Sequence, residues 1–329
     1  MGINNIFDRF NKLKALVIGD VMIDGYILGD VNRISPEAPV PVLDVKSTDD
    51  RLGGAANVVL NLKSLGATPI MCSVIGDDNN GKKLFDLFHK DGLSTEGMVV
   101  SKDRRTTIKT RVIANHQQML RVDEEDSYAL SLEEENTLLK TIKDIINSND
   151  IDVIIFEDYN KGVLTKKVIS SIIDIANKQN IPTTVDPKKD NFFEYKNVTL
   201  FKPNLKELKE GLNLKIDYSS NKSIIDAIRV LESKLNNKLS LVTLSERGVV
   251  ITDKTNQYLI PAHIRNIADV SGAGDTVISV ASLCLALGID LDKIAEISNL
   301  AGGLVCEEVG VVPINKGLLE RETHEKNII

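Results

Sequence analysis

Short apolar runs that end in glycine or an acidic residue recur along this chain, and longer stretches of helical period lie between them. Residues 14–20 (KALVIGD) and 68–76 have the texture of buried strands. The helical pattern follows at 81–91, and from 152 onward the alternation becomes regular. Strand patterns at 153–156, 183–185, 198–201 and 240–243 are interleaved with helical ones at 165–179 and 223–235. Strands alternating with helices imply an α/β fold, a doubly wound and mostly parallel sheet with helices on both faces. Two segments break the rhythm. Residues 26–45 contain Ser35-Pro36-Glu37-Ala38-Pro39-Val40-Pro41, which excludes helix and a central strand and leaves extended or edge structure. Residues 105–123 alternate apolar and polar positions, as a half-exposed strand pair does. Together they predict a small sheet standing off the main body, placed to act as a lid or a dimer surface.

Small residues precede apolar helices twice. Gly53-Gly54-Ala55-Ala56-Asn57 opens one, and Asp269-Val270-Ser271-Gly272-Ala273-Gly274-Asp275-Thr276 opens the other, which runs over 277–287. Glycines there allow close backbone approach, and the first N–H groups of a helix have no partner inside it, so the turn suits an anion. Asp275 at the mouth of such a turn would repel a phosphate. Its better role is to accept the proton of a hydroxyl that attacks a phosphoryl group held there. The plainer reading is a helix cap, which aspartate makes well. Polar groups also gather just past predicted strand ends: Asp24, Glu157, Asp158, Asp186, Asn204, Glu207, Thr243 and Ser245. In a parallel sheet those ends share one crevice. The run Glu133-Glu134-Glu135 reads as a solvated helix start.

Composition narrows the classes. With 329 residues, 42% apolar and 26% charged, the chain is ordinary globular material. Its net charge of −7 makes nucleic acid an unsuited partner. The absence of an 18-residue apolar run or a leader pattern predicts a soluble, cytoplasmic protein with no membrane partner. Cys72, Cys284 and Cys306 are far apart in apolar contexts and read as reduced core thiols.

The two glycine motifs, with Gly66 and Gly76 between them, resemble the two signatures of the ribokinase-like (PfkB) carbohydrate kinase family, and the likeness runs over nearly the whole chain. Within the family it is nearest to the branch that acts on D-glycero-β-D-manno-heptose 7-phosphate in lipopolysaccharide core synthesis. That likeness rests on Arg33-Ile34-Ser35-Pro36-Glu37-Ala38-Pro39-Val40-Pro41-Val42, Gln117-Gln118-Met119-Leu120-Arg121-Val122-Asp123, Asp158-Tyr159-Asn160-Lys161-Gly162, Val185-Asp186-Pro187-Lys188 and Lys202-Pro203-Asn204-Leu205-Lys206-Glu207. The resemblance implies ATP and Mg²⁺ as cofactors and a sugar phosphate as substrate. It implies Asp275 as base and Gly272, Ala273 and Gly274 as the anion hole. Asn204, Lys206 and Glu207 would serve the Mg–nucleotide, with Glu207 the candidate metal ligand. Thr243, Ser245, Glu246, Gly248, Asn299 and Gly303 fall at ATP-contacting positions. Asp24, Gly53, Gly54, Asn57 and Asp158 match sugar-side positions. A substrate phosphate needs a cation, for which Arg111, Lys161 and Lys188 are candidates, with Arg33 and Arg104 behind them.

Two departures are visible: Val270-Ser271 stands where many sugar kinases have two threonines, a small change that keeps one hydroxyl, and the second concerns a further domain. Bifunctional relatives carry a nucleotidyltransferase domain with a His-x-Gly-His motif, and His89, His116, His263 and His324 do not form one. The expectation is a single kinase domain over 1–329, without adenylylation and dimeric through its lid. Two other readings stay open: a family member acting on another sugar or sugar phosphate, such as fructose phosphate or ribose, and a non-catalytic nucleotide or sugar sensor.

Overall fold

The computed structural model describes residues 6–115 and 117–329. The start of the stretch read for a leader, and His116 in the lid, lie outside the described residues. A short helix α1 (Ile6–Phe10) leads into β1 (Lys14–Gly19). A single residue, Asp20, separates β1 from β2 (Val21–Ile34), which folds back as β3 (Pro41–Gly54). The proline-rich stretch forms the turn between them, and Pro41 begins an edge strand, where its missing N–H costs nothing. Then come α2 (Ala55–Ser64), β4 (Thr68–Gly76), α3 (Asn79–Lys90) and β5 (Ser94–Ser101), followed by the hairpin of β6 (Ile108–Ala114) and β7 (Gln117–Glu124). Strands β3-β2-β6-β7 make the small second sheet; β2 and β6 run parallel and the outer pairs antiparallel. Every residue of β7 is exposed, as expected of a sheet standing off the body. This lid begins at Val21, five residues before the sequence suggests.

The rest of the chain is wound on the main sheet. Its elements are α4 (Leu132–Ser148), β8 (Val153–Glu157), α5 (Lys166–Gln179), β9 (Thr183–Asp186), β10 (Leu200–Phe201), α6 (Leu205–Leu212), α7 (Asn221–Leu235) and β11 (Leu239–Thr243). They are followed by β12 (Val249–Thr252), β13 (Gln257–Ile260), α8 (Ala273–Ala286), α9 (Leu291–Val305) and α10 (Lys316–Glu325). The strand order is β13-β12-β11-β10-β9-β8-β1-β4-β5, parallel except for β12, which pairs antiparallel with β11 and β13 at one edge. β1 shows why the sheet is covered on both faces: Ala15 and Val17 join the apolar layer under α2, α8 and α9, while Leu16 and Ile18 join the layer under α4, α5 and α7.

After β1 the chain builds outward to β4 and β5, then crosses to β8 on the other side. The switch point therefore falls between β1 and β8, where ligands bind in such sheets. Register levels the strand ends there, pairing Gly19 with Glu157 and Glu157 with Asp186.

Two expectations change. The strand read at 198–201 shrinks to two residues. The acidic run opens α4 as read, but only Glu133 is exposed: Ser131 and Glu134 make a capping box, and Glu134 and Glu135 are both buried. All three cysteines are buried and unbridged. Among the described residues no helix is long and apolar enough to cross a membrane.

Candidate active site

Both glycine turns become helix starts because glycine tolerates the backbone they need. Gly54 (φ 59°) precedes α2 and Gly272 (φ 79°) precedes α8. A Cβ on Gly272 would lie 3.0 Å from the Asn57 amide nitrogen, so the two starts are packed against each other. Asp275, in the first turn of α8, is buried and makes no capping bond. Its Oδ2 accepts from Asn57 Nδ2 at 2.5 Å and its Oδ1 from the Tyr159 hydroxyl at 3.1 Å. Next along the helix, Thr276 donates to Asn61 Oδ1, which also receives the Ile314 N–H. The Asp275 carboxylate is thus held as a side chain pointing into the crevice rather than used to end a helix. Burial pushes its pKa up to about 6, against the pull of the Asn57 amide.

Glu157, Asp186 and Asp275 bring carboxylate oxygens within 4.8 Å of one another, all buried. Lys202, 3% exposed at its side chain, pairs with Asp186 at 2.7 Å. Burial and the charges of Asp186 and Asp275 raise Glu157 well above the ordinary glutamate range. Its Oε2 is buried with no hydrogen-bond partner. Buried polar atoms are nearly always partnered, so an orphaned oxygen in an all-oxygen donor set fits a hard cation such as Mg²⁺. Glu207 does not fit. Its Oε2 accepts the Asn204 N–H at 2.8 Å and its Oε1 accepts Lys188 Nζ at 2.7 Å. Asn204 in turn caps the Glu207 N–H, so Asn-x-x-Glu is the capping box of α6. The metal candidates move from Glu207 to Glu157 and Asp186.

On one side of Asp275 lies a cleft of about 820 Å³. Asn204, Lys206, Thr243, Ser245, Glu246, Gly248, Asn299 and Gly303 line it, together with Ala273 and Gly274 of the anion turn. An isolated bridge between Asn204 and Thr243 sets α6 beside the end of β11. Asn299 donates to the Pro261 carbonyl, tying α9 to the loop that walls the cleft.

The other side faces the lid. Asp24 is buried on β2, and its Oδ1 accepts from Arg111 Nη1 of β6 at 2.6 Å. A Cβ on Gly53 would fall 2.3 Å from Asp24 Oδ2, so only glycine lets the carboxylate lie against β3. Lys161 pairs with Glu125 at 2.6 Å, beside Lys109 at the root of the lid. Four expected sugar-side residues are elsewhere. Lys188 is held by Glu207 at the start of α6, with its ammonium over the Tyr159 ring. Asp158 is turned inward, accepting from Tyr195, Asn191 and the Asn160 N–H, so its oxygens are spent on the fold. Arg104 is buried, donating to the Lys161 carbonyl and lying over Tyr128. Arg33 sits nine residues along β2 from Asp24, roughly 30 Å at strand rise.

From the sequence, Glu157 and Asp186 are no more than polar strand ends, and Tyr159 and Lys202 carry no role. Glu157 and Asp186 are separated by a whole helix in the chain, and the level strand register is what brings them together.

The chain matches the family described as "pfkB family carbohydrate kinase" over residues 12–316. It is 41% identical over 307 residues to "Bifunctional protein HldE" of Methylobacillus flagellatus, covering 93% of this chain and 62% of that protein. The protein of the same name from Aliarcobacter butzleri is 43% identical over 301 residues, 91% of this chain and 62% of its own length. The chain therefore spans under two thirds of these relatives. Among solved structures, Escherichia coli phosphofructokinase-2 in complex with potassium superposes with a TM-score of 0.79 at 20% identity, covering 95% of this chain and 98% of the other. Arabidopsis thaliana ribokinase with ribose and ATP gives 0.71 at 15% identity, covering 94% and 99%.

Proposed function

The chain belongs to the pfkB family of carbohydrate kinases, and we propose that it transfers the γ-phosphoryl of ATP to the anomeric hydroxyl of D-glycero-β-D-manno-heptose 7-phosphate, giving the 1,7-bisphosphate. The observation that carries the reaction is Asp275: a buried carboxylate at the first turn of α8, next to the Ala273 and Gly274 that line the cleft, with its two oxygens held by Asn57 and Tyr159. In this reading the sugar hydroxyl gives its proton to Asp275 as its oxygen attacks phosphorus, and ADP leaves. The first N–H groups of α8, at Gly272, Ala273 and Gly274, take up developing charge on the phosphoryl oxygens. Glu157 and Asp186 would hold Mg²⁺, which supplies neutralisation of the phosphate charge when bound. Lys202 and Lys188 add fixed positive charge on the same side.

The substrate assignment is supported by the stretches shared with the heptose-kinase branch and by the HldE relatives, whose kinase-like part this chain matches. Arg111 beside Asp24, with Lys161 and Lys109 beyond, are the cations we assign to the 7-phosphate. We place the product in ADP-heptose and lipopolysaccharide core synthesis in the cytoplasm, with residues 1–329 acting as one kinase unit. The lid carries exposed Val45, Leu120 and Val122, and we assign it to a homodimer contact, which a monomer in sedimentation would remove.

The test is ADP release with ATP and Mg²⁺ across heptose 7-phosphate, sedoheptulose 7-phosphate, fructose 6-phosphate, fructose 1-phosphate and ribose. Preference for heptose 7-phosphate is the expected outcome. Preference for another sugar would discard the substrate and keep the chemistry. ATP binding without any turnover would favour a sensor.

A further inference from the structure

The Asp158–Val163 loop reaches the base. We infer that Tyr159 is a positioning residue for phosphoryl transfer, its hydroxyl fixing the Asp275 carboxylate so that the remaining lone pair of Oδ1 meets the acceptor hydroxyl. The inference rests on Asp275 being the base. Each Asp275 oxygen has one side-chain donor: Asn57 on Oδ2 and Tyr159 on Oδ1. Two donors on two oxygens fix the plane of a carboxylate, whereas one leaves it free to swing. Positioning matters because a base must lie within hydrogen-bond reach of the proton it takes.

Tyr159 is itself immobilised from both ends. Its N–H donates to Asp20 Oδ2 at 3.0 Å, and the same carboxylate takes the N–H groups of Lys161 and Val163. Its ring lies under the Lys188 ammonium at 5.6 Å, while that lysine is tied to Glu207. Burial and the nearby Asp275 charge keep the hydroxyl protonated, so it stands as a donor. The phenol holds the base and takes no part in the transfer itself: the proton goes from sugar oxygen to Asp275, the new O–P bond forms on that oxygen, and the bond to the ADP oxygen breaks. Tyr159 acts only through where Asp275 points.

The experiment compares Tyr159→Phe, Tyr159→His and Asp275→Asn in the full chain. It measures sugar-dependent ADP release, ATP hydrolysis without sugar, KM for ATP and the thermal midpoint. Tyr159→Phe should lower kcat for transfer on the order of tenfold, a fraction of the ~10²–10⁴-fold a positioned base supplies. KM for ATP should hold, because nucleotide binding does not use the base, while hydrolysis without sugar, in which water gives its proton to the same carboxylate, should fall with kcat. Tyr159→His, which keeps a donor, should recover part of the rate. An unchanged kcat in Tyr159→Phe while Asp275→Asn is inactive would overturn this inference alone. Equal losses in both tyrosine variants, with a lowered midpoint, would reduce Tyr159 to packing and also overturn it. An active Asp275→Asn would overturn the base assignment and the inference with it.

Discussion

Asn57 Nδ2 donates to Asp275 Oδ2 across 2.5 Å of buried space, joining the start of α2 to the start of α8. The two glycine turns, whose partners here are 218 residues apart, are thereby one site. The bond also sets the base's acidity. Burial raises Asp275 to about 6, and the amide, which favours the charged form, works against that. Asp275 must be ionised to take a proton, so kcat/KM should fall as pH drops through about 6. Asn57→Ala removes a bond to a charged group, and the acidic limb should move up by roughly one pH unit or more. The variant's deficit then shrinks as the medium becomes more alkaline. A pH–rate profile of both proteins checks this; a limb that stays in place would separate Asn57 from the base.

The anion turn offers a second test. Gly272 and Gly288 both lie in the left-handed region, at φ 79° and 67°. A Cβ at Gly288 meets nothing within 4 Å, while one at Gly272 meets Asn57 Nδ2 at 3.0 Å and Val311 Cγ1 at 3.1 Å. Gly288→Ala should cost about 1–2 kcal/mol of stability, from backbone strain, and leave activity intact. Gly272→Ala adds crowding against the amide that holds the base, so kcat should drop beyond any loss of stability. Urea unfolding beside steady-state kinetics separates the two effects. Equal kinetics in the two variants would mean that the turn tolerates a methyl group.

Much of this is legible in the chain. Glycines before apolar helices, and polar residues after strands, are local patterns with local causes, and they locate α2, α8 and the crevice. The proline-rich stretch reads as edge structure because proline has no N–H to give, yet only Pro41 enters the edge strand and the residues before it form the turn. Directions are not legible. Asp158 follows β8 and Asp186 ends β9, yet one turns inward to Tyr195 and the other faces Lys202. Lys188 has the look of a phosphate ligand, but Glu207 pairs with it at the start of α6. Asn204 and Glu207 read as a nucleotide motif and also build a helix start. The pattern at 198–201 exceeds β10 because Val198 is buried without strand pairing, and burial alone gives the same apolar signal.

Asp20 is the least expected acid in the structure and yields a prediction about stability. It is buried between β1 and β2, accepting the N–H groups of Tyr159, Lys161 and Val163. Burial first, and then the charge of Asp158, push it up to about 6, and the three backbone donors only partly resist. An unfolded aspartate titrates near 3.8. Between those values the native state binds the proton and the unfolded state does not. The contribution of this group is therefore fully present below about pH 4 and is lost as pH rises through about 6. The gap corresponds to about 3 kcal/mol. Asp20→Asn removes the titration but keeps one accepting oxygen for the loop. Relative to the parent, the variant should gain stability on passing from about pH 4 to about pH 7, by up to about 3 kcal/mol. Denaturant unfolding at both ends of that range gives the comparison. A difference between the two proteins that does not change with pH would mean that the backbone N–H groups of Tyr159, Lys161 and Val163 hold Asp20 ionised. The loop would then be anchored by a charge rather than by a shared proton.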